Sequence, residues 1–144
     1  MLVACSDGGS TAGSTSSPLA STEPSPVVRP SGQLDAQVPL PAGFPKDMPV
    51  YTNARLTAGA TFKSSGQVSW GMEWETLDAV DKVRAFYADK LNQGDWSITF
   101  TTSAPGSFSA TFTRKSDAQV LGTLKSDRSS GVTKILMSLV APAS

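Results

Sequence analysis

Residues 68–100, VSWGMEWETLDAVDKVRAFYADKLNQGDWSITF, hold a strand, a helix and a second strand in one run. In the first third Val68, Trp70, Met72 and Trp74 alternate with Ser69, Gly71, Glu73 and Glu75. A period of two puts successive side chains on opposite faces, so this is a half-buried strand with both tryptophans inward. In the middle the period lengthens. Ala79, Val80, Val83, Phe86, Tyr87 and Leu91 fall on one arc at helical spacing, and Asp81, Arg84, Asp89 and Asn92 lie outside it. The spacing predicts a helix over 78–93, capped by Asp78 or Thr76 and ended by Gly94. Beyond Gly94 the period returns to two, with Trp96, Ile98 and Phe100 against Ser97, Thr99 and Thr101.

Outward from this run the strand pattern repeats. Upstream, Leu56, Ala58, Ala60 and Phe62 alternate with polar residues and meet the strand at 68–75 through Ser64-Ser65-Gly66. Downstream, Ala104-Pro105-Gly106 turns into Phe108, Ala110 and Phe112. A further strand is expected at 119–125, a polar loop at 126–131, and a last strand with Ile135, Met137 and Leu139 inward. The order ββαββββ with tight turns predicts an α+β domain: a single helix packed on a curved, mainly antiparallel sheet. Between Val38 and Asn53, four prolines alternate with Leu40, Phe44, Met48, Val50 and Tyr51. This reads as an extended lead-in whose apolar residues pack down on the domain.

Before Val38 the composition changes. Residues 6–37 are mostly Ser, Thr, Gly, Pro and Ala, with no period, and such a stretch cannot bury enough surface to offset its ordering entropy. It is expected to be a disordered tether with a reach of roughly 30 Å. Ahead of it stands Leu2-Val3-Ala4-Cys5, containing the chain's only cysteine. This run resembles the lipobox of bacterial lipoproteins. The resemblance implies that residues 1–5 are the remnant of a signal, that Cys5 carries acyl chains, and that the chain is held at the extracytoplasmic face of a cell membrane. Only four residues precede Cys5, so the basic and apolar parts of such a signal would lie upstream of Met1.

The domain, residues 38–144, carries a second resemblance. Pro45-Lys46-Asp47-Met48-Pro49-Val50-Tyr51, then Phe86-Tyr87, Leu91 and Trp96, look like a pattern found in uncharacterised bacterial envelope lipoproteins. That implies an envelope α+β module and no particular activity. Where the pattern often joins Gly to Trp, Asp95 separates Gly94 from Trp96.

Composition narrows the chemistry. Twelve basic residues balance twelve acidic ones, and no basic stripe with interleaved aromatics is present, so nucleic acid is not an expected partner. Histidine is absent, which removes the commonest general base and metal ligand. One cysteine allows neither an internal disulfide nor a thiolate zinc site. Carboxylate chemistry survives. Glu73 and Glu75 stand about 7 Å apart on one strand face with Asp78 near, a spacing that suits calcium or an acid–base pair. A solvated strand face is the plainer reading. Trp70 and Trp74 offer an aromatic platform or a core, and alternation with polar residues favours core.

The expectation is therefore a non-catalytic, lipid-anchored envelope protein without metal or cofactor. It would act as an interaction module for an envelope protein or glycan, with Glu73, Glu75, Trp70 and Trp74 as its surface. The alternative is a carrier or sensor holding an apolar ligand between helix and sheet. A small carboxylate-based hydrolase stands last. A cavity of about 300 Å³ or more between helix and sheet would favour the carrier. A filled core with an exposed sheet face would favour the interaction module.

Overall fold

In the computed structural model, which describes residues 32–144, six strands and one helix follow in the order ββαββββ. They are β1 (Arg55–Ser64), β2 (Gln67–Thr76), α1 (Val80–Lys90), β3 (Trp96–Ala104), β4 (Ser107–Arg114), β5 (Leu121–Ser129) and β6 (Val132–Pro142). All strands join one sheet in the order β1-β2-β6-β5-β4-β3, and every neighbouring pair is antiparallel. After β2 the helix carries the chain to the far edge, and β3 to β6 return by tight turns until β6 lies beside β2. The fold is α+β, as the periodicities predict, with the sheet making up most of it.

One face of the sheet is covered by two different things. Helix α1 packs on β3, β4 and β5 and buries Val83, Tyr87 and Leu91 completely. The lead-in covers the rest, with Phe44 set edge-on against Trp70 and Trp74, each at 6.3 Å between ring centres, and with the Pro41 ring over Gly59. Phe44, Met48 and Tyr51 are buried in the same core as Trp74, Ile135 and Leu139. The lead-in is not extended; it turns at 42–43, 46–48 and 52–53, because its prolines favour turns and its apolar side chains must reach the sheet.

Four further expectations need correction. In β1 the inward phase holds only at Leu56. A bulge between Leu56 and Ala58 adds one residue, so Gly59, Thr61 and Lys63 lie opposite Met72, Trp70 and Val68, and Phe62 turns to the other face with 63 % of its surface exposed. The polar stretch 126–131 is not a loop. It extends β5 and begins β6 around a two-residue turn at Ser130 and Gly131, both at positive φ, as a hairpin turn of this hand requires. Helix α1 starts after Ala79 with no side-chain cap; Thr76 Oγ1 accepts from the Asp78 N–H, and the Asp78 carboxylate is engaged elsewhere. Gly94 is not its C-terminal cap, since the helix ends at Leu91 and Gly94 takes its positive φ in the turn before β3.

Residues 32–37, the last part of the stretch read as tether, run along the domain as a strap. Gly32 N–H donates to Ser130 O, Asp35 N–H to Glu75 Oε2 and Val38 N–H to Leu56 O, while Arg55 donates to Asp35 O. The strap meets the sheet at the end where β5 turns into β6. From there the lead-in climbs along β1, reaches Trp70 near the β1–β2 turn, and returns to Tyr51 beside the start of α1. Cys5 and the rest of the tether lie outside the described residues.

Candidate functional site

The uncovered face of the sheet is built by the strand residues that alternate away from the core. Register aligns Phe62, Ser69, Val140, Leu121, Thr113 and Ser97 as one row across all six strands. The next row is Ala60, Gly71, Ser138, Thr123, Thr111 and Thr99, small or hydroxylated throughout. Small side chains between taller ones leave a shallow groove of about 400 Å³, bordered by Ala58, Gly71, Glu73, Thr123, Lys125 and Leu136. Exposed apolar side chains stand around it: Phe62, Leu121 at 46 % and Leu136 at 41 %.

Glu73 and Glu75 are on this face, as alternation requires, but they do not form an open acidic pair. Lys134 on β6 lies between them, 3.2 Å from Glu73 Oε1 and 3.7 Å from Glu75 Oε1. The Glu73 carboxylate holds the Lys134 ammonium above the usual lysine range, chiefly by that hydrogen bond. Glu75 is only 1 % exposed, which corrects the reading of a solvated pair, because the strap passes over it. Asp78, the third carboxylate of the sequence cluster, sits apart and accepts from Tyr51 Oη at 2.7 Å and Asn53 at 3.0 Å. The sequence places the acids together; the fold assigns each a structural partner.

The tryptophans separate too. Trp74 is core. Trp70 is buried against Phe44, donates from Nε1 to Ala42 O at 3.3 Å, and shows one edge to a cleft of about 480 Å³. This cleft lies at the β1–β2 end of the covered face, where neither α1 nor the lead-in fills the space over the sheet. Its walls are Ala42 and Gly43 of the lead-in, Thr61 and Lys63 of β1, Val68 and Trp70 of β2, and the chain after β6 at Pro142 and Ala143. Under α1 itself the space is filled by Tyr87, Leu91, Phe112 and Leu124. The cavity that would have favoured a carrier between helix and sheet is therefore not found there, and no residue of α1 lines the cleft. Sequence reasoning missed Lys63 and Thr61 as lining residues because the β1 bulge reverses which side they face.

A further indentation, about 360 Å³, lies between the lead-in and the end of α1 near Asp47, Lys90, Asp95 and Trp96. It is laced by ion pairs. Arg114 stacks 4.7 Å over Trp96 and bonds Asp47 at 2.6 Å, and the Ser116 hydroxyl donates to Asp95. That Ser116 hydrogen bond is the main cause holding the Asp95 carboxyl below its usual range. The network fastens the lead-in to β4.

A family model described as START domain-like matches residues 56–127, half of the chain, from β1 into β5. No curated protein and no solved structure matches.

Proposed function

Because the chain belongs to the START domain-like family, we propose that it is a non-catalytic ligand-binding module whose cleft beside Trp70 takes a small apolar molecule. The observation that carries this reading is the cleft's position and size. It opens on the covered face, next to the aromatic core, and its volume falls within the range typical of small-molecule sites. An indole edge, a valine, a proline and two alanines supply apolar contact; Thr61, opposite Trp70 on the same face, offers an orienting hydroxyl. Catalysis finds less support. The chain has no histidine, and its closest acids are engaged by Lys134, Tyr51 and Asn53.

The test is to fill the cleft without touching the core. Thr61→Trp should lower affinity for an apolar ligand at least tenfold and leave the melting temperature unchanged. Native mass spectrometry of protein purified from its host should show a retained small molecule in the parent chain and none in the variant. An empty parent chain would overturn the reading.

The anchor belongs to the same proposal. Acyl chains on Cys5 would hold the module at the outer side of a cell membrane, since two chains together retain a small protein on a bilayer. Cys5→Ala in the full-length gene should move the protein from the membrane fraction to the soluble one. The exposed apolar side chains of the open sheet face support a second reading, docking of an envelope protein on that face. Phe62→Ser with Leu136→Ser would abolish such docking while sparing the cleft.

A further inference from the structure

The open face of the sheet carries a ridge and a groove side by side. In the row that starts at Phe62, the tall side chains are Phe62 on β1, Val140 on β6 and Leu121 on β5. In the next row Ala60, Ser138 and Thr123 on the same three strands are short, and Gly71 on β2 has no side chain at all. The two rows are neighbours along every strand, about 6.7 Å apart, so ridge and groove run parallel over the same width of sheet. Neither row holds a charged residue. Glu73 and Lys125 stand one row further on, one of each sign, and the strap that covers Glu75 lies beyond them.

Resting on the reading that a protein docks on this face, we infer that the partner is a second copy of this chain, seated face to face about a twofold axis parallel to the rows. An axis placed between the two rows sets the ridge of each copy over the groove of the other, with Leu121 over Thr123 and Val140 over Ser138. A twofold contact must be its own complement. A face that holds both halves of the fit meets that demand, whereas an unrelated partner would need only one of them. The rows that meet are uncharged, so no like charges oppose the pairing, and a partner recognised by charge would find none there. Two sheets packed in this way keep their strands aligned, about 10 Å apart. Three rows on six strands present roughly 600 Å² per copy, the lower end of the range for stable specific interfaces. That area fits a reversible dimer of micromolar affinity.

Sedimentation of the full chain should show a concentration-dependent species of twice the mass of one chain. Leu121→Lys and Thr123→Glu each set an unpaired charge at two symmetric points of the contact. Each should weaken the dimer at least about tenfold and leave the melting temperature of the dilute chain unchanged. Mixed in equal amounts, the two variants should associate again, because the twofold register brings the introduced lysine of one over the introduced glutamate of the other. A purely structural role of either residue would give no such rescue. Two variants that stay apart on mixing, or a dimer that survives both substitutions, would overturn the inference. So would a parent chain that remains monomeric up to millimolar concentration. If light-activated crosslinks from position 121 in cells then reach a different protein, docking on this face stands with another occupant; if they reach none, that reading falls as well. A monomer that binds neutral phospholipid vesicles, and loses that binding with Leu121→Lys, would give the face to a bilayer and likewise overturn the inference.

Discussion

Gly122 sits in β5 where the sheet is tightest. A Cβ built there would lie 2.1 Å from Ser138 O on β6 and 2.4 Å from Phe112 Cζ on β4. Neither neighbour can yield cheaply, since one is ladder backbone and the other a fully buried ring. Gly122→Ala should therefore cost about 2–4 kcal/mol in urea unfolding, although it adds a single methyl. Tyr51 sets a pH dependence. Burial first, and then its hydrogen bond to Asp78, push the phenol up to about 12. A raised value means its contribution is complete below about pH 10 and is lost as pH rises through about 12. The same bond is the largest cause holding Asp78 below its usual range, so that contribution is present above about pH 4 and fades as pH falls through the lowered value. Denaturant midpoints measured across pH should fall at both ends, and Tyr51→Phe should flatten the acid end. Part of the alkaline fall should remain, because burial also raises the Tyr87 phenol.

At the scale of elements, the period of two identified every strand and the period of 3.6 the one helix. What periodicity missed is where one residue changes the count. Thr57 occupies the bulge in β1, and no local composition marks it, because the extra residue is set by pairing with β2. Phe62 consequently looks like core in sequence and is surface in the fold, so Phe62→Ser should change stability by less than about 0.5 kcal/mol. Phe112→Ala should cost about 3–5 kcal/mol. Polarity misled in the other direction at 126–131, where strands exposed on one face carry charged residues legitimately. The start of α1 is a local weakness. Ala79 has the extended backbone of a capping position with no side-chain oxygen to use it, so Ala79→Ser should stabilise by about 0.5–1 kcal/mol in the same assay.

For the whole molecule, the sheet needs two covers and has one helix. The lead-in supplies the second, burying Phe44, Met48 and Tyr51. At roughly 1.5–3 kcal/mol for each such side chain, their burial rivals the entire net stability expected of a small domain. A chain lacking residues 32–51 should show no cooperative thermal transition by circular dichroism, even though every strand and the helix are retained. The importance of this irregular stretch was legible from its buried aromatics but its path was not, since prolines and turns carry no period. The site was less legible than the fold: Trp70 was singled out from sequence, whereas the cleft depends on the β1 bulge and on where the lead-in turns.

The route of the chain from Gly32 to Phe44 also fixes how the domain would respond to mechanical load. Tension applied through the upstream segment enters at Gly32 and is borne in sequence by separate contacts, among them hydrogen bonds at Ser130, Glu75, Arg55 and Leu56. Such bonds peel one at a time, while the strands of the sheet are held by whole ladders. Next in line are Pro41 on Gly59 and then Ala42 on Trp70, and the second of these contacts is part of one wall of the cleft. A pull strong enough to lift them would open the cleft with the sheet still intact.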